Sequence, residues 1–268
     1  MDRQDVAYLV NSTPKYYYLL RLHFALIRRY GAACKWPIYI ASEVPEDPVL
    51  QKCKAEFGVE ILPLELKDKY FLESRLAAVK ALPPSIKYVF PIQEDFLLQG
   101  RPDGPAIEEA LQILDTDTSV ASIRLIPCPG PQMGSHTYKD TRYKKLNENF
   151  MFTYQATLWR RQDYCLFFSS LLEVPEAAFA SRIPIGLTPD QQKKWFQVDF
   201  NLAENQMGQA KFKELLGNKT HLAYPRAHPW PNAVYVCPWP YRPTAVEKGK
   251  LGQWVYEFAE REGYPILP

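Results

Sequence analysis

The stretch that most constrains how this chain folds is Lys87-Tyr-Val-Phe-Pro-Ile-Gln-Glu-Asp-Phe-Leu-Leu98, an apolar run that breaks off at Gln93, Glu94 and Asp95. Tyr88 to Ile92 is short, β-branched and aromatic and follows Pro83-Pro84, a pattern that predicts a buried strand rather than a helix. In an open α/β sheet, ligands bind beyond the carboxyl ends of the strands, where a carboxylate leaves the core and meets solvent, metal or phosphate. Asp95 stands at that place in the sequence. The plain alternative is a solvated turn.

The segments before it set the fold class. Val6 to Val10 reads as a strand, followed by Asn11-Ser12-Thr13-Pro14, where Thr13 suits a helix cap and Pro14 a first helical position. A helix is expected from about Lys15 to Tyr30, apolar nearly all round, with His23 as a packed histidine and Gly31 as the stop. Trp36 to Ala41 reads as a second strand, Asp47-Pro48 opens a helix that Gly58 ends, and Val59 to Leu64 reads as a third strand. This alternation predicts an α/β fold with a doubly wound, Rossmann-like, mostly parallel central sheet flanked by helices. No Gly-x-Gly-x-x-Gly or Walker loop follows any strand, which disfavours a dinucleotide oxidoreductase or a P-loop NTPase. Asn11, Ser12 and Thr13 are left as the natural nucleotide cradle, with Glu43 beside them, although each also fits a cap or turn.

Beyond Pro105 to Asp115 (helix) and Ser119 to Ile126 (strand) the pattern loosens. Residues 127–149 mix Pro, Gly and Tyr with Lys139, Arg142, Lys144 and Lys145 and suggest a loop or hairpin over the substrate side, with a solvated loop as the plainer meaning of the charges. The 24 prolines in 268 residues predict long rigid loops, above all at 174–194 and 224–243. The expected organisation is one unit, with an N-terminal half of residues 1–126 and a C-terminal half of residues 127–268.

Charge and cysteine usage exclude several classes. A net charge of +2 gives no global field for nucleic acid or membrane. Five scattered cysteines without Cys-x-x-Cys spacing argue against a disulfide framework or a zinc site. No run approaches the ~18 apolar residues of a membrane span, and Met1-Asp-Arg-Gln-Asp5 lacks the features of a secretory signal, so a soluble cytoplasmic protein is expected. Oligomeric state is not legible in the sequence.

The helix Leu72-Glu-Ser-Arg75-Leu76, the strand from Tyr88 and the Gln93-Glu94-Asp95-Phe96-Leu97 ending together resemble the nucleotide-sugar site of small GT-A glycosyltransferases, of the kind found in bacterial polysaccharide clusters and large DNA viruses. Gln93 departs from the pattern, standing where the family places its first Asp. Met151 to Arg160 is similar to the family's acceptor-side strand, matched by Gln155, Ala156, Leu158, Trp159 and Arg160. Phe196 to Phe200 resembles a Trp-Glu-Phe-Glu segment, with Asp199 at its last acid and Gln197 replacing the first, and Val246 to Lys250 resembles a closing Val-x-x-Gly-Lys element.

The resemblance implies a metal-dependent GT-A transferase that moves a sugar from a nucleoside diphosphate sugar, UDP favoured, to a saccharide acceptor with inversion. It places Asp95 on Mn²⁺ or Mg²⁺, with His228 as a further metal ligand. It makes residues 1–126 the nucleotide-sugar-binding half and 127–268 the acceptor-binding half, giving the donor to Asn11, Ser12, Thr13, Glu43, Arg75, Gln93, Glu94 and Lys250 and the acceptor to Gln155 and Trp159, for which a place in the core is the equal alternative. Asp199 is the candidate base, on the inward stripe of a helix expected over residues 195–216; a structural salt bridge to Arg160 or Arg161 is its rival role. Two other functions stay open: a sugar-nucleotide pyrophosphorylase, and a non-catalytic carbohydrate-binding relic of the same fold.

Overall fold

The computed structural model describes residues 2–266 apart from 33, 66–70, 129, 132–134, 147–150, 174–187, 189–203, 205, 227, 229–231, 233, 234, 243 and 248. Its frame is an eight-stranded sheet in the order β3-β2-β1-β4-β8-β6-β9-β7. The first four strands in that order, β3 (Glu60–Pro63), β2 (Ile38–Ser42), β1 (Val6–Asn11) and β4 (Tyr88–Gln93), are all parallel. Strand β8 (Thr157–Arg160) runs against both its neighbours, β4 and β6 (Val120–Arg124). On the far side, β9 (Thr220–Ala223) is parallel to β6, and β7 (Lys144–Lys145) is antiparallel to β9 at the edge. Apart from this sheet, β5 (Leu97–Leu98) pairs antiparallel with β10 (Tyr241–Arg242).

Strands buried on both faces read as continuous apolar runs, and β1 separates two cores by alternation. Val6, Tyr8 and Val10 point into a core closed by α1 (Leu20–Tyr30), α2 (Pro48–Phe57), α4 (Gly104–Thr116) and α7 (Gln253–Arg261). Ala7 and Leu9 point into a second core closed by α3 (Phe71–Ala81), α5 (Arg161–Leu172) and α6 (Gln206–Leu216). The second core is dense in rings: Phe152, Trp159, Tyr164, Phe167, Phe168 and Phe212 pack with centroids 4.5 to 6.0 Å apart.

Helix ends follow the expected chemistry with one exception. Asp47 accepts a hydrogen bond from the Val49 amide at 2.8 Å, Pro48 takes the first turn, and Gly58 closes α2 at φ 61°. At Thr13-Pro14 the expected α-helix does not begin: the hydroxyl makes no capping bond, Pro14–Leu19 is a 3₁₀ helix, and α1 starts only at Leu20. The basic hairpin also lies elsewhere than expected. It closes between Thr137 and Lys144 at the β7 edge, remote from β1 and β4, and two of its charges are held in ion pairs. Lys139 pairs with Asp117, and Arg142 with Asp103 and Glu109.

His221 on β9 shows how the interior treats a titratable ring. Nε2 donates to the Leu216 carbonyl at 3.0 Å and Nδ1 accepts from the Ser122 hydroxyl at 2.9 Å, which fixes a neutral tautomer. Burial pushes its pKa down from 6.5 to about 4. As pH falls below about 6.5 the unfolded chain takes up the proton first, so this part of the stability is intact above 6.5 and is lost progressively toward pH 4. His221→Gln lacks that titration while keeping an amide for Leu216. The parent's stability advantage over the variant therefore shrinks by up to roughly 1.4 kcal/mol per pH unit across the window. Urea unfolding of both proteins at pH 7 and pH 5 measures it; a gap independent of pH means that burial does not shift the ring's pKa, and a gap that widens toward pH 5 means that the folded ring already carries the proton.

Candidate functional site

The chain starts in the middle of the sheet, winds outward through β2 and β3, and returns to β4 on the other side of β1. Between β1 and β4 the winding direction therefore switches, which opens a crevice beyond their carboxyl ends. The strands end level, with Asn11 opposite both Gln93 and Ala41, and Ser42 opposite Pro63. The residues that follow line one cavity of about 830 Å³: Ser12 and Thr13 after β1, Glu43 after β2, Leu64 after β3, and Glu94 and Asp95 after β4.

Two further elements enclose it. Helix α3 contributes Phe71, Ser74 and Arg75, which share a face because they stand three and four residues apart. The small hairpin β11 (Val246–Glu247) and β12 (Lys250–Leu251) adds Val246, Glu247 and Gly249, with Thr244 leading into it at φ 64°. Phe71, Tyr16, Leu64 and Val246 give the cavity an apolar wall suited to a flat ring.

The electrostatics of the floor are unusual. Glu94 is 7% exposed and its pKa is pushed up to about 8, by burial first and by the adjacent Asp95 second. Asp95 is 8% exposed and burial raises it to about 6, opposed by the Val246 amide, which lies 3.5 Å from one carboxylate oxygen. Its other oxygen, Oδ1, is buried without a donor among the described residues. The facing cation is Arg75, 2% exposed, held 4.1 Å above the Phe71 ring and 4.7 Å from that of Tyr154, with Nε and one Nη lacking acceptors among the described residues. Glu43 accepts from the Ser74 hydroxyl at 2.7 Å.

Eight of the sequence-derived candidates thus line one cavity: Asn11, Ser12, Thr13, Glu43, Arg75, Gln93, Glu94 and Asp95. Lys250 is exposed on β12, next to the lining residue Gly249. Gln155 is outside the wall and accepts from the Tyr241 hydroxyl. Trp159 takes the core role of its two: it is 1% exposed, its ring enclosed by Phe152, Tyr164, Phe212 and His221, so it packs the second core and, against its acceptor-side assignment, offers no face to a saccharide. His228 is exposed and does not line the cavity. Asp199 and Gln197 lie outside the described residues. Among the described residues no group of three His, Cys, Asp or Glu side chains could hold a metal by itself, and no helix is long and apolar enough to cross a membrane. Tyr16, Leu64, Phe71 and Glu247 were not foreseen; the signal for Phe71 was its place one helical turn before Arg75.

No protein-family model matches the chain, and no curated protein does. Among solved structures, residues 1–349 of Staphylococcus aureus TarS in complex with UDP-GlcNAc align over 84% of this chain and 60% of theirs, at 11% identity and a TM-score of 0.42. The 4-diphosphocytidyl-2C-methyl-D-erythritol synthase from Anaerococcus prevotii aligns over 80% and 97%, at 9% identity and 0.39. Glucosyl-3-phosphoglycerate synthase from Mycobacterium tuberculosis, in complex with Mn²⁺, UDP and glucosyl-3-phosphoglycerate, aligns over 45% and 43%, at 8% identity and 0.33. The chain spans about three fifths of the TarS fragment it matches. Likeness at this distance carries nothing about substrate, which the cavity's own side chains must supply.

A buried, under-paired carboxylate costs stability when ionised. Because the folded pKa of Asp95 lies above the ordinary 3.8, that cost is full above pH 6 and vanishes below about pH 4. Asp95→Asn should therefore stabilise the ligand-free protein by about 1–3 kcal/mol at pH 7.5 and by nothing near pH 4. Denaturant titrations at the two pH values test this, and destabilisation at pH 7.5 would show that Asp95 is already compensated.

Proposed function

We propose that the chain is a divalent-cation-dependent glycosyltransferase whose cavity takes a nucleoside diphosphate sugar, a UDP-sugar in the first instance. The observation that carries the reading is the charge of the wall. Among the described residues, Glu43, Glu94, Asp95 and Glu247 share the wall with one cation, Arg75. A diphosphate entering such a wall alone meets repulsion, whereas a diphosphate that brings a hard divalent cation completes it. The unpartnered Oδ1 of Asp95, with Glu94 beside it, suits Mn²⁺ or Mg²⁺, for which the ligand's phosphate oxygens and water supply the remaining coordination. When bound, the cation neutralises charge growing on the leaving diphosphate.

In this reading the cavity residues divide the donor among them. Phe71 and Leu64 stack the base, Glu43 and Gln93 accept from ribose hydroxyls, and the polar cradle of Asn11, Ser12 and Thr13 faces the phosphates together with Arg75. Lys250 reaches the diphosphate from the hairpin. The acceptor sits toward the 127–268 half, near Gln155, with Asp199 as the base that takes the acceptor's proton. The acceptor oxygen then bonds to the anomeric carbon as its bond to the diphosphate breaks, and the configuration inverts.

Two measurements test the assignment. Calorimetry with UDP-sugars should show binding that requires Mn²⁺ and is abolished in Asp95→Asn; Mn²⁺-independent binding overturns the metal assignment. Asp199→Asn should lower turnover by ~10²–10⁴-fold with donor affinity nearly unchanged, the usual contribution of a positioned base. Consumption of a nucleoside triphosphate and a sugar phosphate, in place of UDP release, identifies a pyrophosphorylase instead. Neither activity, with saccharide binding retained, identifies a non-catalytic relic.

A further inference from the structure

The acidic turn at the end of β4 is held from behind. Phe96 N donates to the Gln93 carbonyl at 3.1 Å, so Glu94 and Asp95 are the two central residues of a closed turn. The peptide between them carries the Glu94 carbonyl, and among the described residues its donor is Nδ1 of His23, at 3.1 Å. His23 is 1% exposed on α1, and its other ring nitrogen lies 2.9 Å from the Tyr8 hydroxyl. A carbonyl only accepts, so Nδ1 carries a proton; a ring this buried, with no carboxylate against it among the described residues, is neutral, so Nε2 is bare and the Tyr8 hydroxyl donates to it. Tyr8 is fixed in turn, its ring packed between Phe90 and Trp239 at centroid distances of 5.7 and 5.9 Å.

We infer that His23 is a positioning residue for the acidic turn: the chain Tyr8 hydroxyl to His23 to the Glu94 carbonyl selects one imidazole tautomer and, through it, one orientation of the Glu94–Asp95 peptide. The two carboxylates project from the ends of that peptide, so its orientation decides whether both face the cavity. Without the donor, the buried Glu94 carbonyl is unsatisfied, and the peptide gains by turning toward water in the cavity. The inference rests on the donor-site reading for its effect on binding, and on the described geometry alone for its effect on the turn.

Two single substitutions separate positioning from packing. In His23→Asn the side-chain amide nitrogen falls where Nδ1 was and can still donate to Glu94. In His23→Gln the amide falls where Nε2 was and can meet only Tyr8. Both lose ring packing and should lower Tm similarly. His23→Asn should hold Mn²⁺-dependent UDP affinity within about threefold of the parent, whereas His23→Gln should weaken it by about tenfold or more, the worth of one buried hydrogen bond. In ligand-free protein, hydrogen exchange at Phe96 N, bonded to Gln93, and Ala245 N, bonded to the Asp95 carbonyl at 3.1 Å, should accelerate by about tenfold or more in His23→Gln relative to His23→Asn.

Equal exchange in the two variants overturns the inference, whatever UDP does. If the parent itself shows no Mn²⁺-dependent UDP binding, the donor reading fails while the exchange comparison still decides the role of His23. Should neither variant fold, Tyr8→Phe and the imidazole ¹⁵N spectrum of the parent serve: a protonated Nδ1 with bare Nε2 is expected, and the opposite tautomer overturns the inference.

Discussion

Two adjacent carboxylates, Glu94 and Asp95, are buried at the edge of the sheet with one guanidinium near them, and much of the surrounding structure answers to that constraint. Ionised acids in such a place cost several kcal/mol unless a charge or a set of donors compensates them. Compensation here is incomplete. Arg75 lowers both acids, Ser12 helps Glu94, and the Val246 amide approaches Asp95 at the limit of hydrogen bonding. The remaining demand for positive charge is what the proposed cation would meet.

Holding that arrangement requires rigid support on both faces of the sheet. On one face stands the ring cluster of Tyr8, Phe90, Trp36 and Trp239, in which Trp36 and Trp239 stack at 6.1 Å and 8°. On the other, Arg75 rests on Phe71 and Tyr154, and Tyr154 is itself anchored where its amide donates to Glu204 at 2.7 Å. Gln209 of α6 then clasps Phe152 through both its amide and its carbonyl. Aromatic pairs of this kind contribute about 0.5–1.5 kcal/mol each beyond the area they bury, so the second core can hold an arginine whose own hydrogen bonding is unfinished. Energy stored in packing is what allows an unfavourable charge pattern to persist at the site, and a ligand that relieves the pattern binds the better for it.

Much of this was legible in the sequence. The alternation of strands and helices through residue 98, the Asp47-Pro48 and Gly58 helix ends, and the position of Asp95 after a buried strand all follow from local rules, because period, capping and glycine conformation act over a few residues. Asn11, Ser12, Thr13, Glu43, Gln93, Glu94 and Asp95 could be named as neighbours because parallel strands that start a doubly wound sheet must end at one edge. Arg75 was named through its helix and a family resemblance, and it lines the same cavity.

What the tertiary structure decided is whatever depends on which groups meet across long separations. Trp159 stood in an acceptor-like motif, yet the antiparallel entry of β8 between β4 and β6 turns its ring into the second core. The basic hairpin resembled a cover for the substrate, yet ion pairs to Asp103, Glu109 and Asp117 fasten it at the opposite edge. His23 read correctly as a packed histidine, but its partner is a carbonyl 71 residues away, and the enclosing hairpin at 244–251 lies some 150 residues beyond the acids it covers. A sequence fixes short-range geometry because its covalent periodicity does. Burial, and with it the strength of every charge in this cavity, is a property of the assembled sheet, since dielectric and hydrogen-bond supply are set by what the rest of the chain brings to the same place.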